Sequence, residues 1–152
     1  MNMNDAKRKT RQDPRWSIVL DLQSEHDIFC NHELLQKTWC ANDELDINVN
    51  GKTITTNMKA KILGDYDNTA CYCPDFATNI VSLKNLSEWC RVTYDSDDDI
   101  FILHRDKKPD MRFKKRKNGE YSFYVKEFTK PESKNVDDVD LNVNKPNAFK
   151  LR

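Results

Sequence analysis

The chain has 152 residues, which is enough for one domain with its own hydrophobic core and hardly enough for two. Its 25 lysine and arginine residues balance 25 aspartate and glutamate residues, so no overall field steers it toward nucleic acid or a membrane. No segment has the apolar length of a membrane span, and no secretory signal follows the basic N-terminus. Five cysteines, an odd number, favour reduced thiols. We therefore expect a cytoplasmic or nuclear protein that is not secreted.

Large apolar side chains are concentrated between residues 16 and 128. Residues 1–15 are basic and polar, and residues 129–152 are similarly poor in large apolar side chains. Such segments cannot bury enough apolar surface to offset the entropy of ordering. The composition therefore predicts a flexible basic arm (1–15), one globular domain (16–128) and a polar C-terminal tail (129–152).

The first element in chain order is an apolar run, WSIVLD, which predicts a buried strand ending at Asp21. After a polar elbow, Asn31 is a candidate cap for a short early helix, HELLQKTW. Leu34, Leu35 and Trp39 would share one side of that helix.

Three hairpins are predicted from turn residues. Asn50-Gly51 separates two runs rich in β-branched residues, and Asn118-Gly119 separates MRFKKRK from EYSFYVKEF. Asn-Gly favours a hairpin because both central residues of a type I′ turn need positive φ. The acidic segment 95–99 predicts a third turn, between RVTY and IFILH.

A second helix is predicted late in the domain, in TNIVSLKNLSEWC, where Ile80, Leu83, Leu86 and Cys90 follow helical spacing. All other elements are strand-like. The chain is therefore predicted to be mostly β, a small barrel or folded-over sheet with one short helix late in the domain and a minor helix early.

Asp21 is the only candidate carboxylate at the end of a strongly apolar strand. Two interpretations are open: a working carboxylate delivered by a buried strand, or a turn residue where that strand meets water. The histidines and cysteines complete no zinc knuckle of the usual spacing, so we expect neither a metal nor a cofactor. The basic segment 104–117, with Phe113 for stacking, makes nucleic acid a possible but not favoured partner.

Six segments occur in the order that is found in one family of retroelement proteins. They are WSIVLDLQSE around Asp21, HDIFCNHELLQ, INVNGKTI, TNIVSLKNL, RVTYDSDDDIFILHR and KNGEYSFYV. Together they resemble the protease region of Copia-type retrotransposon Pol polyproteins. That region is a retropepsin-like aspartic protease, also described as a Pol β-barrel domain. The resemblance covers residues 16–125.

The resemblance implies a small retropepsin-like β-barrel, closed or folded over, that forms a homodimer. Each subunit would contribute Asp21 to a catalytic dyad whose ancestral activity is hydrolysis of a Gag-Pol polyprotein, so the implied partners are a second copy and a polypeptide substrate. Leu22, Gln23 and Ser24 would be the active-site neighbours. The family has Ser or Thr where this chain has Leu22, and Gly where it has Gln23.

The resemblance also assigns two further elements. The turn at Asn50 and Gly51 would be the tip of a flap over the substrate. A helix following the barrel core would include Asn79, Ile80, Val81 and Leu83.

The substitutions beside Asp21 keep more than one function open. The first interpretation is an active aspartic endopeptidase. The second is a catalytically inactive barrel retained as a dimerisation or binding module, and the third is a nucleic-acid-binding accessory domain that uses the basic hairpin.

Overall fold

Ten strands form one sheet in the computed structural model, which describes residues 12–49 and 51–128. They are β1 (Ser17–Asp21), β2 (Ile28–Phe29), β3 (Leu35–Val49), β4 (Lys52–Ile62), β5 (Thr69–Tyr72), β6 (Asn79–Ser82), β7 (Arg91–Asp95), β8 (Ile100–His104), β9 (Met111–Lys115) and β10 (Tyr121–Tyr124). Their order in the sheet is β3-β4-β5-β2-β6-β1-β10-β9-β8-β7. The prediction of a small, mostly β domain is confirmed. Within the described residues β3 and β7 are not paired with each other, so the sheet is open and not a closed barrel.

Asn50, most of the predicted arm (1–15) and the predicted tail (129–152) lie outside the described residues. Within those residues, no helix is both long and apolar enough to cross a bilayer.

β1 lies in the middle of the sheet, parallel to β6 and antiparallel to β10. Ile18 and Leu20 are buried in the core, while Val19 between them is only partly buried. This alternation is expected for a strand with one face on the core. The predicted apolar strand ending at Asp21 is therefore confirmed, and the register places Asp21 beside Ser82 at the end of β6.

All three predicted hairpins are confirmed. β3 pairs with β4 up to Val49 and Lys52, and Gly51 between them has φ of 79°. β9 pairs with β10 through a turn in which Gly119 has φ of 90°. The acidic turn joins β7 to β8, with Asp99 at φ of 57°. Glycine adopts this left-handed region without steric cost, and aspartate tolerates it better than most residues.

The late helix, α1 (Leu83–Trp89), is shorter than the sequence predicted. The helical assignment is wrong for Asn79, Ile80 and Val81, which belong to β6, and is confirmed for Leu83. Segment 79–82 is extended because it pairs with β1 on one side and with β2 on the other. The Ser82 hydroxyl then caps α1 by accepting a hydrogen bond from the Asn85 backbone N–H.

The early helix is one 3-10 turn, His32–Leu34, capped by Asn31 as predicted. The helical assignment is wrong for Leu35 through Trp39, because these residues begin β3 and pair with β4. A second 3-10 turn, Pro14–Trp16, precedes β1, and a short helix, α2 (Val125–Phe128), follows β10.

Candidate active site around Asp21

Asp21 is the last residue of β1 and is partly buried. Oδ1 accepts hydrogen bonds from the backbone N–H groups of Gln23, at 2.9 Å, and Ser24, at 3.1 Å. Oδ2 receives no hydrogen bond from any described residue. Asp21 thus shapes the turn that ends the strand through Oδ1, and the residue also lines the adjoining cavity.

The turn after Asp21 closes without a glycine. Among the described residues other than glycine, only Asp99 and Lys107 have positive φ, so Gln23 has an ordinary backbone conformation. Its N–H nevertheless reaches the Asp21 carboxylate. Gln23 is therefore compatible with close backbone approach to the carboxylate.

The side chains of Leu22 and Ser24 have different surroundings. Leu22 is 49% exposed, one of the few large apolar side chains that this fold leaves in solvent. The Ser24 hydroxyl donates to the His26 carbonyl and accepts from the His26 N–H, so it stabilises the loop locally and does not contact Asp21.

A cavity of about 530 Å³ adjoins Asp21. It is lined by the end of β1 (Val19, Leu20, Asp21, Leu22), by Ile54 of β4, by Asp75, Phe76, Ala77, Thr78 and Ile80, and by Gly119, Glu120 and Tyr121. Ile54 belongs to the hairpin that turns at Gly51, so the flap candidate contributes a side chain to the cavity that Asp21 also lines. Cavities of this size are typical of sites that bind small molecules.

Two further carboxylates at this cavity were missed from the sequence. Asp75 and Glu120 are exposed residues on its lining. Asp75 follows Pro74 after β5, and Glu120 follows the turn at Gly119. Their positions depend on strands that are distant in sequence, so residue spacing gives no signal for them.

A buried carboxylate, Asp27, was also missed. Asp27 is 1% exposed, and its Oδ1 accepts from the Ser82 N–H at 2.8 Å and from the Asn85 side-chain amide at 3.2 Å. Oδ2 accepts from the Tyr66 hydroxyl at 2.5 Å and from the Asn68 side-chain amide at 2.7 Å. Burial and the adjacent Asp27 carboxylate raise the pKa of Tyr66 well above its usual range.

The residues that the resemblance assigned to the helix have three different positions. Ile80 lines the cavity, Val81 is buried in the core, and Leu83 packs against that core. Asn79 is fully buried, and its side-chain amide joins the segment before β1 to the residues that follow β2. Asn79 thus supports the sheet around β1 and is not part of the cavity lining.

The cysteines and histidines do not assemble into a metal centre. In residues 12–49 and 51–128, no group of three or more His, Cys, Asp or Glu side chains is placed to hold a metal ion. All five cysteines are free thiols, and Cys30, Cys71 and Cys73 are buried. Burial, as the main cause, raises the pKa of Cys73 to about 11, so this thiol stays protonated at neutral pH.

Several side chains of the basic segment 104–117 that could contact a nucleic acid are buried or hydrogen-bonded within the fold. Phe113 is 1% exposed in the core, so the prediction that it is available for base stacking is wrong. Arg105 is buried and donates to the Pro109 carbonyl, and Arg116 donates to the Ser122 hydroxyl. Alternation along β9 puts Phe113 on the core face, which the density of lysines conceals.

Comparisons of the chain with protein-family models, with curated protein sequences and with solved structures gave no match.

Proposed function

We propose that this chain is a retroelement-derived aspartic protease domain of the retropepsin type, active as a homodimer with Asp21 from each subunit as the catalytic dyad. The pose of the Asp21 carboxylate carries the proposal. Asp21 Oδ1 is fixed by two backbone N–H groups, its Oδ2 receives no hydrogen bond from a described residue, and the residue lines a cavity of about 530 Å³. A carboxylate that served only as a turn residue would need no adjoining cavity.

The chemistry follows from placing two such carboxylates at a symmetry axis. Two carboxylates in contact cannot both ionise cheaply, so the pair retains one proton. The ionised carboxylate accepts a proton from a bound water molecule, whose oxygen attacks the peptide carbonyl carbon, and the protonated carboxylate donates to the carbonyl oxygen. As the resulting diol collapses and the C–N bond breaks, the protonated carboxylate gives its proton to the amide nitrogen and the ionised carboxylate takes a proton from a diol hydroxyl, so the dyad again holds one proton.

The substitutions beside Asp21 fit this activity in different ways. The Gln23 N–H makes the contact with the carboxylate that the family's glycine allows, so this departure leaves the local geometry in place. Leu22 cannot make the hydroxyl contacts of Ser or Thr. Its exposed side chain is instead available for apolar contact with its copy across the axis.

The proposed substrate is an extended polypeptide, as in Gag-Pol processing. Ile54, Phe76 and Ile80 provide apolar surface for a side chain next to the cleaved bond. The hairpin that turns at Gly51 would act as the flap and exclude water over the bound peptide. The five free thiols support a cytoplasmic or nuclear site of action, which is part of the same proposal.

The proposal is tested by cleavage of a synthetic peptide library at mildly acid pH, with and without pepstatin. We expect pepstatin-sensitive cleavage by the wild-type chain and its loss in Asp21→Asn. Asp43→Asn is the matched control, because Asp43 is an exposed carboxylate on β3 away from the cavity. Cleavage that survives Asp21→Asn would refute the dyad.

A catalytically inactive dimerisation module is the second candidate, favoured by the exposed Leu22 at the position of the family's Ser or Thr. It predicts dimers in sedimentation experiments and no cleavage by wild type or variant. A nucleic-acid-binding domain remains the third and less favoured candidate. It predicts binding that weakens steeply with salt and is lost when residues 114–117 are neutralised.

A further inference from the structure

The loop between Asp21 and Asp27 is attached at both ends to Ser82, the last residue of β6, which lies beside β1 in the sheet. At its start, Asp21 is paired with Ser82 in the β1–β6 register. At its end, the buried Asp27 carboxylate accepts the Ser82 backbone N–H at 2.8 Å. In the middle, the Ser82 hydroxyl donates to the Ser24 carbonyl at 2.7 Å. Ser82 thus contacts the loop at three points.

The Ser24 contact leads directly to the candidate catalytic group. Ser24 accepts from Ser82 through its carbonyl and donates to Asp21 Oδ1 through its N–H. The two bonds share one short stretch of backbone, so moving the Ser24 carbonyl also moves the N–H that holds the carboxylate. The Asn85 side-chain amide adds a parallel bond to the Glu25 carbonyl at 3.2 Å.

The Asp27 carboxylate fixes Ser82 in turn. Its four donors are Ser82 at the end of β6, Asn85 in α1, and Tyr66 and Asn68 in the segment after β4. A buried carboxylate with four donors is costly to displace. The start of α1 therefore stands at a fixed distance from the loop.

We infer that Ser82 and Asp27 are positioning residues for Asp21: through the Ser24 backbone they hold the turn whose N–H groups fix the Asp21 carboxylate. This inference rests on the proposed function for its catalytic consequence. The constraint on the loop itself is independent of that function and can be measured separately.

The experiment compares Ser82→Ala, Ser82→Thr and Lys84→Gly with the wild-type chain. Ser82→Ala removes the hydroxyl that reaches Ser24, and Ser82→Thr retains it. Lys84→Gly weakens α1 at an exposed position without touching the loop, so it controls for lost helix stability. Amide hydrogen exchange of Gln23 and Ser24 reports the loop directly, and steady-state peptide cleavage reports the catalytic effect.

We expect Ser82→Ala to speed exchange at Gln23 and Ser24 by about tenfold, as the loss of one hydrogen bond implies, with exchange in β1 unchanged. Its kcat should fall roughly 10- to 100-fold with KM within about twofold, because the carboxylate is misplaced and substrate binding is not. Ser82→Thr should restore both quantities, and Lys84→Gly should change neither.

Unchanged exchange at Gln23 and Ser24 in Ser82→Ala would overturn the inference, and so would an equal loss of kcat in Lys84→Gly. If the wild-type chain cleaves nothing, the proposed function fails, and the exchange rates alone then decide whether Ser82 constrains the loop.

Discussion

Replacing Asn79 with alanine should remove four hydrogen bonds from the middle of the sheet. Asn79 Oδ1 accepts from the backbone N–H groups of Cys30, at 2.9 Å, and Asn31, at 3.2 Å. Its Nδ2 donates to the carbonyls of Arg15 and Ser17, each at 2.9 Å. All of these bonds converge on a side chain with no solvent exposure.

The loss in free energy of unfolding depends on which backbone groups keep a hydrogen-bond partner in Asn79→Ala. The Arg15 carbonyl retains the Asn31 side-chain amide, and the Ser17 carbonyl retains the Thr78 hydroxyl. The N–H groups of Cys30 and Asn31 lose their acceptor. Each buried N–H left without an acceptor costs about 1–3 kcal/mol, so the free energy of unfolding should fall by about 4 kcal/mol. That is a large part of the 5–15 kcal/mol, roughly, that stabilises a typical domain.

Urea denaturation followed by tryptophan fluorescence measures this loss. The control is Asn48→Ala, which removes an exposed amide that accepts a hydrogen bond from the Thr53 hydroxyl and should cost less than about 0.5 kcal/mol. A loss below about 1 kcal/mol for Asn79→Ala, with an unchanged denaturant slope, would refute the reasoning that Asn79 is the acceptor these two groups depend on.

Two further predictions concern the dimer and the acidic turn. Leu22→Ser should weaken the proposed dimer about 30-fold in sedimentation equilibrium, because burying the exposed half of Leu22 in both subunits stabilises by about 2 kcal/mol; an unchanged dimer constant would place Leu22 outside the interface. Hydrogen bonds from Tyr121 and Tyr94, together with Lys115, hold the pKa of Asp99 below its usual value of 3.8. Because its folded-state pKa is lowered, ionised Asp99 contributes stability that is present above pH 3.8 and is lost as the pH falls through the folded-state pKa. Between pH 6 and pH 2 the free energy of unfolding should therefore fall less in Asp99→Asn than in the wild type. Parallel curves for wild type and variant would contradict it.

The hairpins could be predicted because their turns are fixed by local chemistry. Gly51 and Gly119 both have positive φ. Two-residue hairpin turns need this conformation, so Asn-Gly between two alternating strands indicates such a turn. The strand ending at Asp21 was equally accessible, since its apolar run is short and stops at a charged residue.

The helix boundaries could not be predicted from the same pattern. Ile80, Leu83 and Leu86 have helical spacing, but Ile80 lies in a strand because β1 and β2 provide hydrogen-bond partners on both of its sides. Leu35 likewise begins a strand because β4 is available to pair with it. These partners are tertiary, so local spacing carries no information about them.

The candidate site divides in the same way. Asp21 was identified because an apolar strand leads to it. Asp27 was missed because it stands in a polar stretch, SEHD, that is typical of a surface loop. Its burial depends on Tyr66 and Ser82, which are distant in the chain and reach it only in the folded sheet.

The central place of β1 has a consequence for how the chain acquires its shape on the ribosome. Ile18 pairs with Asn79 on one side and with Phe123 on the other, whereas the β3–β4 ribbon closes locally around Gly51. Contacts between distant residues form late, because long loops must close first. A nascent chain can therefore complete the β3–β4 ribbon early, whereas β1, which carries Asp21, gains both of its neighbours only after β10 has been translated. The proposed dyad therefore depends on the completion of β10 as well as of β1.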